Sequence, residues 1–187
     1  MIKAGSIEKG MVLRIKDEPY SVTEREFVNP GKGSAFVRLK LKNLRTGAVL
    51  KEVIKTQDSV EEIDVEDREC QYLYSDGNVY HFMDNETFEQ FGIPVKEFQD
   101  LELLMKEGDV YTVVMWEDSP IDIKLPYKIV YMVKEAQEGL KGDTVSGATK
   151  IVKTETGLEV KVPLFIKEGD KILVNTESRE YVERVNQ

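Results

Sequence analysis

The chain has 187 residues, 41% of them hydrophobic, and a net charge of −9, which suits one large domain or two to three small ones with packed cores. No apolar run approaches the ~20 residues of a membrane span, and a single cysteine, Cys70, excludes an intrachain disulfide framework. Whole-chain acidity excludes a nonspecific nucleic-acid coat, because phosphate binding depends on neutralising cations.

The N-terminus, Met1-Ile2-Lys3-Ala4-Gly5-Ser6, lacks an apolar signal segment, so the expected address is the cytoplasm. Short runs rich in Val, Ile, Tyr and Leu follow one another, separated by Gly, Asp and Asn turns, as small β-barrels require. Met11-Val12-Leu13-Arg14-Ile15 is the first of these runs. Two longer ones, ending at Phe27-Val28 and beginning at Ala35-Phe36, flank Asn29-Pro30-Gly31-Lys32-Gly33. Pro30 pre-sets its own φ and the two glycines permit left-handed angles, so Lys32 stands at the point of a tight turn without neighbouring side chains. An ordinary glycine-rich hairpin with a surface lysine is the competing reading. From Arg25 to Arg45 six basic residues face one acid, Glu26.

Further along, Gln71-Tyr72-Leu73-Tyr74 and Val79-Tyr80-His81-Phe82-Met83 enclose Asp76-Gly77-Asn78, a hairpin signal. A short helix is expected over residues 85–91, capped by Asp84 or Asn85 and stopped by Gly92-Ile93-Pro94. A second helical turn is expected near residues 95–98. Tyr111-Thr112-Val113-Val114-Met115-Trp116 is another strand. Leu104-Met105-Lys106-Glu107-Gly108-Asp109 recurs as Phe165-Ile166-Lys167-Glu168-Gly169-Asp170, and Ile7-Glu8-Lys9-Gly10-Met11 is a looser echo. The repeat implies duplicated small barrels, with boundaries giving modules 1–64, 65–127 and 128–187. Their net charges are +2, −11 and 0. Modules this small gain from packing against one another. Glu61, Glu62, Glu66, Asp67 and Glu69 read as a solvated linker face.

Catalytic chemistry is poorly provided for. His81 is the only histidine, which excludes a histidine-rich zinc site, and no metal ligands, cofactor or catalytic residues are assigned. Cys70 and His81 as nucleophile and base form a rival enzymatic reading; as strand residues they are a core side chain and a half-buried ring. Gly31-Lys32-Gly33-Ser34 fails as a phosphate loop, since Glu26 stands at the required first glycine and Gly33 where Ser/Thr should follow the lysine. A different class, the general single-stranded nucleic-acid-binding OB-fold protein, would need exposed aromatics in basic grooves. Tyr72, Tyr74, Tyr80, Phe82, Phe88 and Phe91 fall instead in the acidic module, where core packing accounts for most of them.

Several segments, in order and at matching spacing, carry a family resemblance. They are the Pro30-Gly31-Lys32-Gly33 tip, Phe36-Val37-Arg38-Leu39-Lys40-Leu41-Lys42-Asn43-Leu44-Arg45-Thr46-Gly47, and His81-Phe82-Met83-Asp84. Glu155-Thr156-Gly157-Leu158-Glu159-Val160-Lys161-Val162-Pro163 and Glu180-Tyr181-Val182-Glu183-Arg184-Val185 complete the set. With them the chain resembles bacterial translation elongation factor P over essentially its whole length. The resemblance implies an all-β fold, an SH3-like barrel followed by two OB-fold barrels in an L-shaped, tRNA-like arrangement. It also implies a cytoplasmic, monomeric factor without membrane contact that binds the 70S ribosome between P and E sites. There it would relieve stalling at consecutive prolines, beside the P-site peptidyl-tRNA. Lys32, with Pro30, Gly31 and Gly33, would form the functional tip, extended covalently by a lysine-modifying enzyme, and Gly142, Asp143 and Thr144 would contact the mRNA E-site codon. Arg38, Lys40, Lys42 and Arg45 are candidate tRNA or rRNA anchors; not all four are expected to face RNA, because strand side chains alternate. The chain departs from the family pattern at Asn29, at Thr149-Lys150-Ile151-Val152 and at Ser178-Arg179-Glu180, where a glycine-containing turn is commoner.

Overall fold

The computed structural model describes residues 1–98, 100–137 and 148–186. Its strands are β1 (Ile2–Lys3), β2 (Val12–Ile15), β3 (Glu18–Val28), β4 (Phe36–Asn43), β5 (Val49–Lys55), β6 (Ser59–Glu62), β7 (Glu66–Ser75) and β8 (Val79–Asp84). The remainder are β9 (Gln90–Pro94), β10 (Val110–Trp116), β11 (Ser119–Lys124), β12 (Lys128–Ala136), β13 (Thr149–Thr154), β14 (Glu159–Pro163), β15 (Lys171–Asn175) and β16 (Tyr181–Val185). They form a six-stranded sheet, β1-β6-β2-β3-β4-β5, and two five-stranded sheets, β11-β10-β7-β8-β9 and β14-β13-β12-β15-β16. Among the described residues the helical elements are three short 3-10 turns, at Ala4–Ser6, Val95–Glu97 and Leu101–Leu103.

The two five-stranded sheets share one order. The first strand of each, β7 or β12, is central; the second and third lie to one side, the fourth and fifth to the other. In the last sheet β14 also approaches β16, so the sheet curls toward closure. This is the all-β architecture expected of OB-type barrels, and it places the duplication in topology as well as in sequence.

By compactness the chain divides into two units, Met1–Arg68 with Thr112–Ile123, and Glu69–Tyr111 with Lys124–Gln187. The first unit holds one core of Ala4, Ile7, Leu13, Val22, Val37, Leu39, Leu41 and Val60. A second core in the same unit joins Val12, Leu44 and Ile63 to Val114 and Ile121. Beside it the ring of Trp116 is flanked by the guanidinium groups of Arg14 at 5.4 Å and Arg45 at 5.7 Å, a favourable arrangement of cations over an electron-rich face. Ile63 is buried between Glu61, Glu62 and Glu66, so these acids are the outward positions of strands rather than a linker. In the second unit, Tyr80 is fully buried and ties down both nearby 3-10 turns. Its hydroxyl has Phe98 O and Glu102 Oε2 as acceptors for its single proton and accepts from Leu101 N. Tyr131, also fully buried, donates to Leu104 O.

The Lys-Glu-Gly-Asp repeat has one structural job, done three times. Gly108 N donates to Tyr72 O, and Tyr72 N donates back to Asp109 O, at 2.7 and 2.9 Å. Gly169 and Asp170 grip Val133 in the same way, and Gly10 and Met11 grip Val22. Each gripped residue sits at the irregularity of its strand pairing, between Val22 and Glu24, Tyr72 and Tyr74, or Val133 and Glu135. A bulge leaves backbone groups without ladder partners, and the turn supplies them. The glycines have φ of +96°, +88° and +90°, which a side chain resists. Two residues before each Lys or Glu-Gly pair, an apolar anchor (Ile7, Met105, Ile166) is fully buried.

The helix expected over residues 85–91 is absent. Asp84 Oδ1 accepts from Glu86 N and Thr87 N, as a cap would, but Phe88 N closes on Asp84 O and the chain returns as β9. The same turn recurs at Asn43, closed by Gly47, and at Asn175, closed by Arg179. Phe88 and Arg179 therefore hold φ near +60°, where the first copy has glycine. The expected hairpin at residues 76–78 forms, and so does a helical turn at Val95–Glu97. In that hairpin Asp76 Oδ1 accepts from Asn78 N and Val79 N, and Oδ2 meets His81 Nε2 at 3.0 Å. The His81 contact, then these amides, pull the Asp76 carboxyl from 3.8 down to about 2.

Two outcomes follow. Gly10→Ala, Gly108→Ala and Gly169→Ala each meet no atom within 4 Å, so each should cost only backbone strain, about 1–2 kcal/mol in chemical denaturation; neutral substitutions would contradict the shared conformation. A carboxylate with a depressed folded-state pKa stabilises fully above its unfolded value and loses that contribution as pH falls toward the folded one. The Asp76→Asn protein should therefore show a shallower loss of stability between pH 4 and pH 2 than the parent, measured by urea unfolding; an unchanged slope would contradict the assignment.

Candidate functional site

The hairpin of β3 and β4 pairs from Tyr20↔Asn43 to Val28↔Phe36, leaving residues 29–35 as its tip. Its inner positions are set by alternation: Val37, Leu39 and Leu41 enter the core while Arg38, Lys40 and Lys42 face outward. Thr56 donates through both N and Oγ1 to Ala35 O, fixing the returning side of the tip. Arg25 Nη2 donates to Gly5 O at 3.0 Å, which ties β3 to the first 3-10 turn.

Beyond these anchors the tip makes few contacts. Gly31 and Gly33 have φ of +73° and +100°, and a Cβ at either would meet nothing within 4 Å. Their conformation, rather than crowding, is what demands glycine. Asn29, Pro30 and Lys32 are exposed, and no hydrogen bond or ion pair engages the Lys32 amine among the described residues. Its long stem and three donors are accordingly available to a partner or to covalent extension.

Arg38, Lys40 and Lys42 lie on one face, because they alternate along a single strand. Arg38 Nη1 reaches Glu26 at 3.5 Å, and Lys40 Nζ reaches Glu24 at 2.9 Å. Hydrogen bonding to Lys40, and then its charge, hold the Glu24 carboxyl below its ordinary range. Arg45 is engaged differently, over Trp116 and 3.9 Å from Glu18. Sequence reading missed Lys51 and Lys55, which face outward on β5 opposite Lys40 and Phe36. The signal was present in the alternation of Val49–Lys55. A shallow groove of about 360 Å³ runs between Glu24, Glu26, Arg38, Lys40, Lys51 and Val53.

The remaining candidates are dispersed. Cys70 is fully buried opposite Asp84, whereas His81 stands opposite Tyr74, stacked on its ring with centroids 4.4 Å apart. The structure does not bring them together as nucleophile and base. Among the aromatics, Tyr72, Tyr80 and Phe82 are buried, while Tyr74 and Phe88 are exposed. Arg184 lies over Phe165 at 5.4 Å. Gly142, Asp143 and Thr144 lie outside the described residues. Among the described residues no helix is long and apolar enough to cross a membrane, and no three His, Cys, Asp or Glu side chains are grouped to hold a metal ion.

Three family models match consecutive parts of the chain. They are described as the elongation factor P KOW-like domain over residues 3–60, the elongation factor P OB domain over 65–123, and the elongation factor P C-terminal domain over 129–184. Elongation factor P of Treponema denticola is 55% identical over 186 residues, with both chains covered in full. Elongation factor P of Borrelia hermsii is 50% identical, covering all of this chain and 98% of that one. Among solved structures, eukaryotic translation initiation factor 5A from Methanococcus jannaschii aligns with a TM-score of 0.54 at 21% identity. That alignment covers 66% of this chain and 92% of the other, a likeness of fold. On full-length identity to these relatives, with its three sheets matched in turn by the three domain models, the chain belongs to the elongation factor P family.

Proposed function

We propose that this chain, by family a translation elongation factor, binds the 70S ribosome between the P and E sites and accelerates peptide-bond formation at consecutive prolines. The observation that carries the reading is the exposed, unpaired Lys32 amine on a tip whose only conformational demand falls on two glycines. Proline is a restricted, slow nucleophile, and a slow bimolecular step gains most from holding its reactants in productive alignment. That task requires no acid or base of the protein's own.

In this reading Lys32, lengthened by a covalent modification that a dedicated enzyme installs, reaches the CCA end of the P-site tRNA through charge-assisted hydrogen bonds. Arg38, Lys40 and Lys42 share the outward face behind it. Their partners Glu24 and Glu26 are exposed, so these pairs yield readily to phosphate, which positions without reading sequence. Arg45, held over Trp116, is a weaker candidate anchor than the other three. Gly142, Asp143 and Thr144 would approach the E-site codon, with Asp143 accepting from base or sugar donors. The factor would act in the cytoplasm, as a monomer.

Replacing Lys32 should leave folding unchanged, since its side chain is exposed and makes no hydrogen bond or ion pair among the described residues. In cells lacking the native factor, Lys32→Ala should reduce readthrough of a polyproline reporter at least about tenfold, equivalent to ~1.4 kcal/mol; full rescue by that variant would refute the role. Asp143→Ala should retain overall ribosome binding and lose discrimination among E-site codons, measured by filter binding to programmed ribosomes. Undiminished discrimination would dismiss the codon contact.

A further inference from the structure

The second unit contains a cavity of about 810 Å³, lined by Tyr72, Glu102, Lys106, Glu107, Asp109 and Glu155 among others. This is ample for a side chain or a short peptide segment. Lys106 Nζ pairs with Glu155 at 3.5 Å, and Glu102 Oε2 accepts from the Tyr80 hydroxyl. The side-chain carboxylates of Glu107 and Asp109 carry neither hydrogen bond nor ion pair among the described residues. Four carboxylates against one ammonium leave the lining three charges negative.

Two observations mark it as more than an acidic surface. Tyr72 is 2% exposed, yet among the described residues its hydroxyl has no hydrogen-bond partner although it lines the cavity. Burial, with the charges of Glu107 and Glu102 behind it, pushes that phenol up to about 12, so the hydroxyl remains a donor as well as an acceptor at neutral pH. The second observation comes from the repeat. In the C-terminal copy, Asp170 Oδ2 accepts from Lys167 N at 2.9 Å and closes its own turn. In the central copy the equivalent amide, Lys106 N, donates to the Tyr111 hydroxyl at 2.7 Å instead. Tyr111 thereby relieves Asp109 of the structural task that Asp170 performs, and the Asp109 carboxylate is left to the cavity.

We propose that this cavity is a receptor for an arginine side chain on a basic polypeptide segment of another protein. A guanidinium offers five donors in a planar fork, which suits several separated acceptors better than a compact ammonium does. The Tyr72 oxygen accepts one N–H while its own proton turns to a neighbouring carboxylate. Charge assistance then comes from Glu107 and Asp109, whose mutual repulsion the guanidinium relieves. The carboxylates are not grouped to chelate a metal, and their sign excludes phosphate. The inference is independent of the role assigned to Lys32.

The test is calorimetric titration of the full chain with acetyl-Arg-Arg-Arg-amide and acetyl-Lys-Lys-Lys-amide at two salt concentrations. The arginine peptide should bind more tightly than the lysine peptide. Asp109→Asn should weaken it about fivefold with thermal stability unchanged, and Tyr72→Phe should weaken it about threefold. Asp170→Asn, which removes the same charge from the other copy, should lower stability but leave affinity within about twofold. Equal affinity for the two peptides, wild-type affinity of Asp109→Asn, or equal losses in Asp109→Asn and Asp170→Asn would each overturn the proposal, the last by tracing binding to the general field of an acidic protein.

Discussion

The constraint on which this structure rests is a pair of backbone hydrogen bonds made three times over. A left-handed glycine turn donates to, and accepts from, a single residue at the bulge of a neighbouring strand: Val22, Tyr72 or Val133. Bulged strands need outside partners for the groups their ladder abandons, since an unmet buried amide or carbonyl costs free energy comparable to a lost hydrogen bond. The turn meets that need, and its buried apolar residue nails it to the core. Burying a side chain such as Ile7 or Ile166 is worth roughly 1.5–3 kcal/mol, more than the strain a substituted glycine would introduce.

The first of these grips also bears on function. Val22 lies on β3, and β3 runs on from its bulge to the lysine tip. What orients Lys32 lies outside its own side chain: the gripped bulge, the ladder to β4, and the Thr56 backbone and hydroxyl bonds to Ala35 O. None of it uses the lysine. A residue that the fold does not need, mounted on a support that the fold holds firmly, is how a protein presents a group to something else.

Most of the scaffold was legible because it is written in short-range signals. The Lys-Glu-Gly-Asp repeat exposed the duplication, and even the looser echo at Ile7-Glu8-Lys9-Gly10-Met11 makes the same turn. The missed helix is instructive, since Asp84 presents its carboxylate to the amides two and three residues on. A helix N-cap does the same, so local chemistry alone does not separate the two. The decision falls to Phe88, whose left-handed backbone sends the chain back along β8. Lys51 and Lys55 were missed because β5 joins the basic face only through its register with β4. The acidic cavity was illegible for a deeper reason: Asp109 and Asp170 are identical in sequence context, and only Tyr111 makes them different.

In the proposed function, Lys32 is delivered to the reacting end of the P-site tRNA. The most direct measurement replaces Lys32 with a photo-crosslinking amino acid and maps the adducts formed on ribosomes paused at consecutive prolines. Crosslinks concentrated on the 3′-terminal nucleotides of the P-site tRNA are the predicted result. Efficient crosslinking to protein or to rRNA remote from that end, with none to the tRNA terminus, would contradict it.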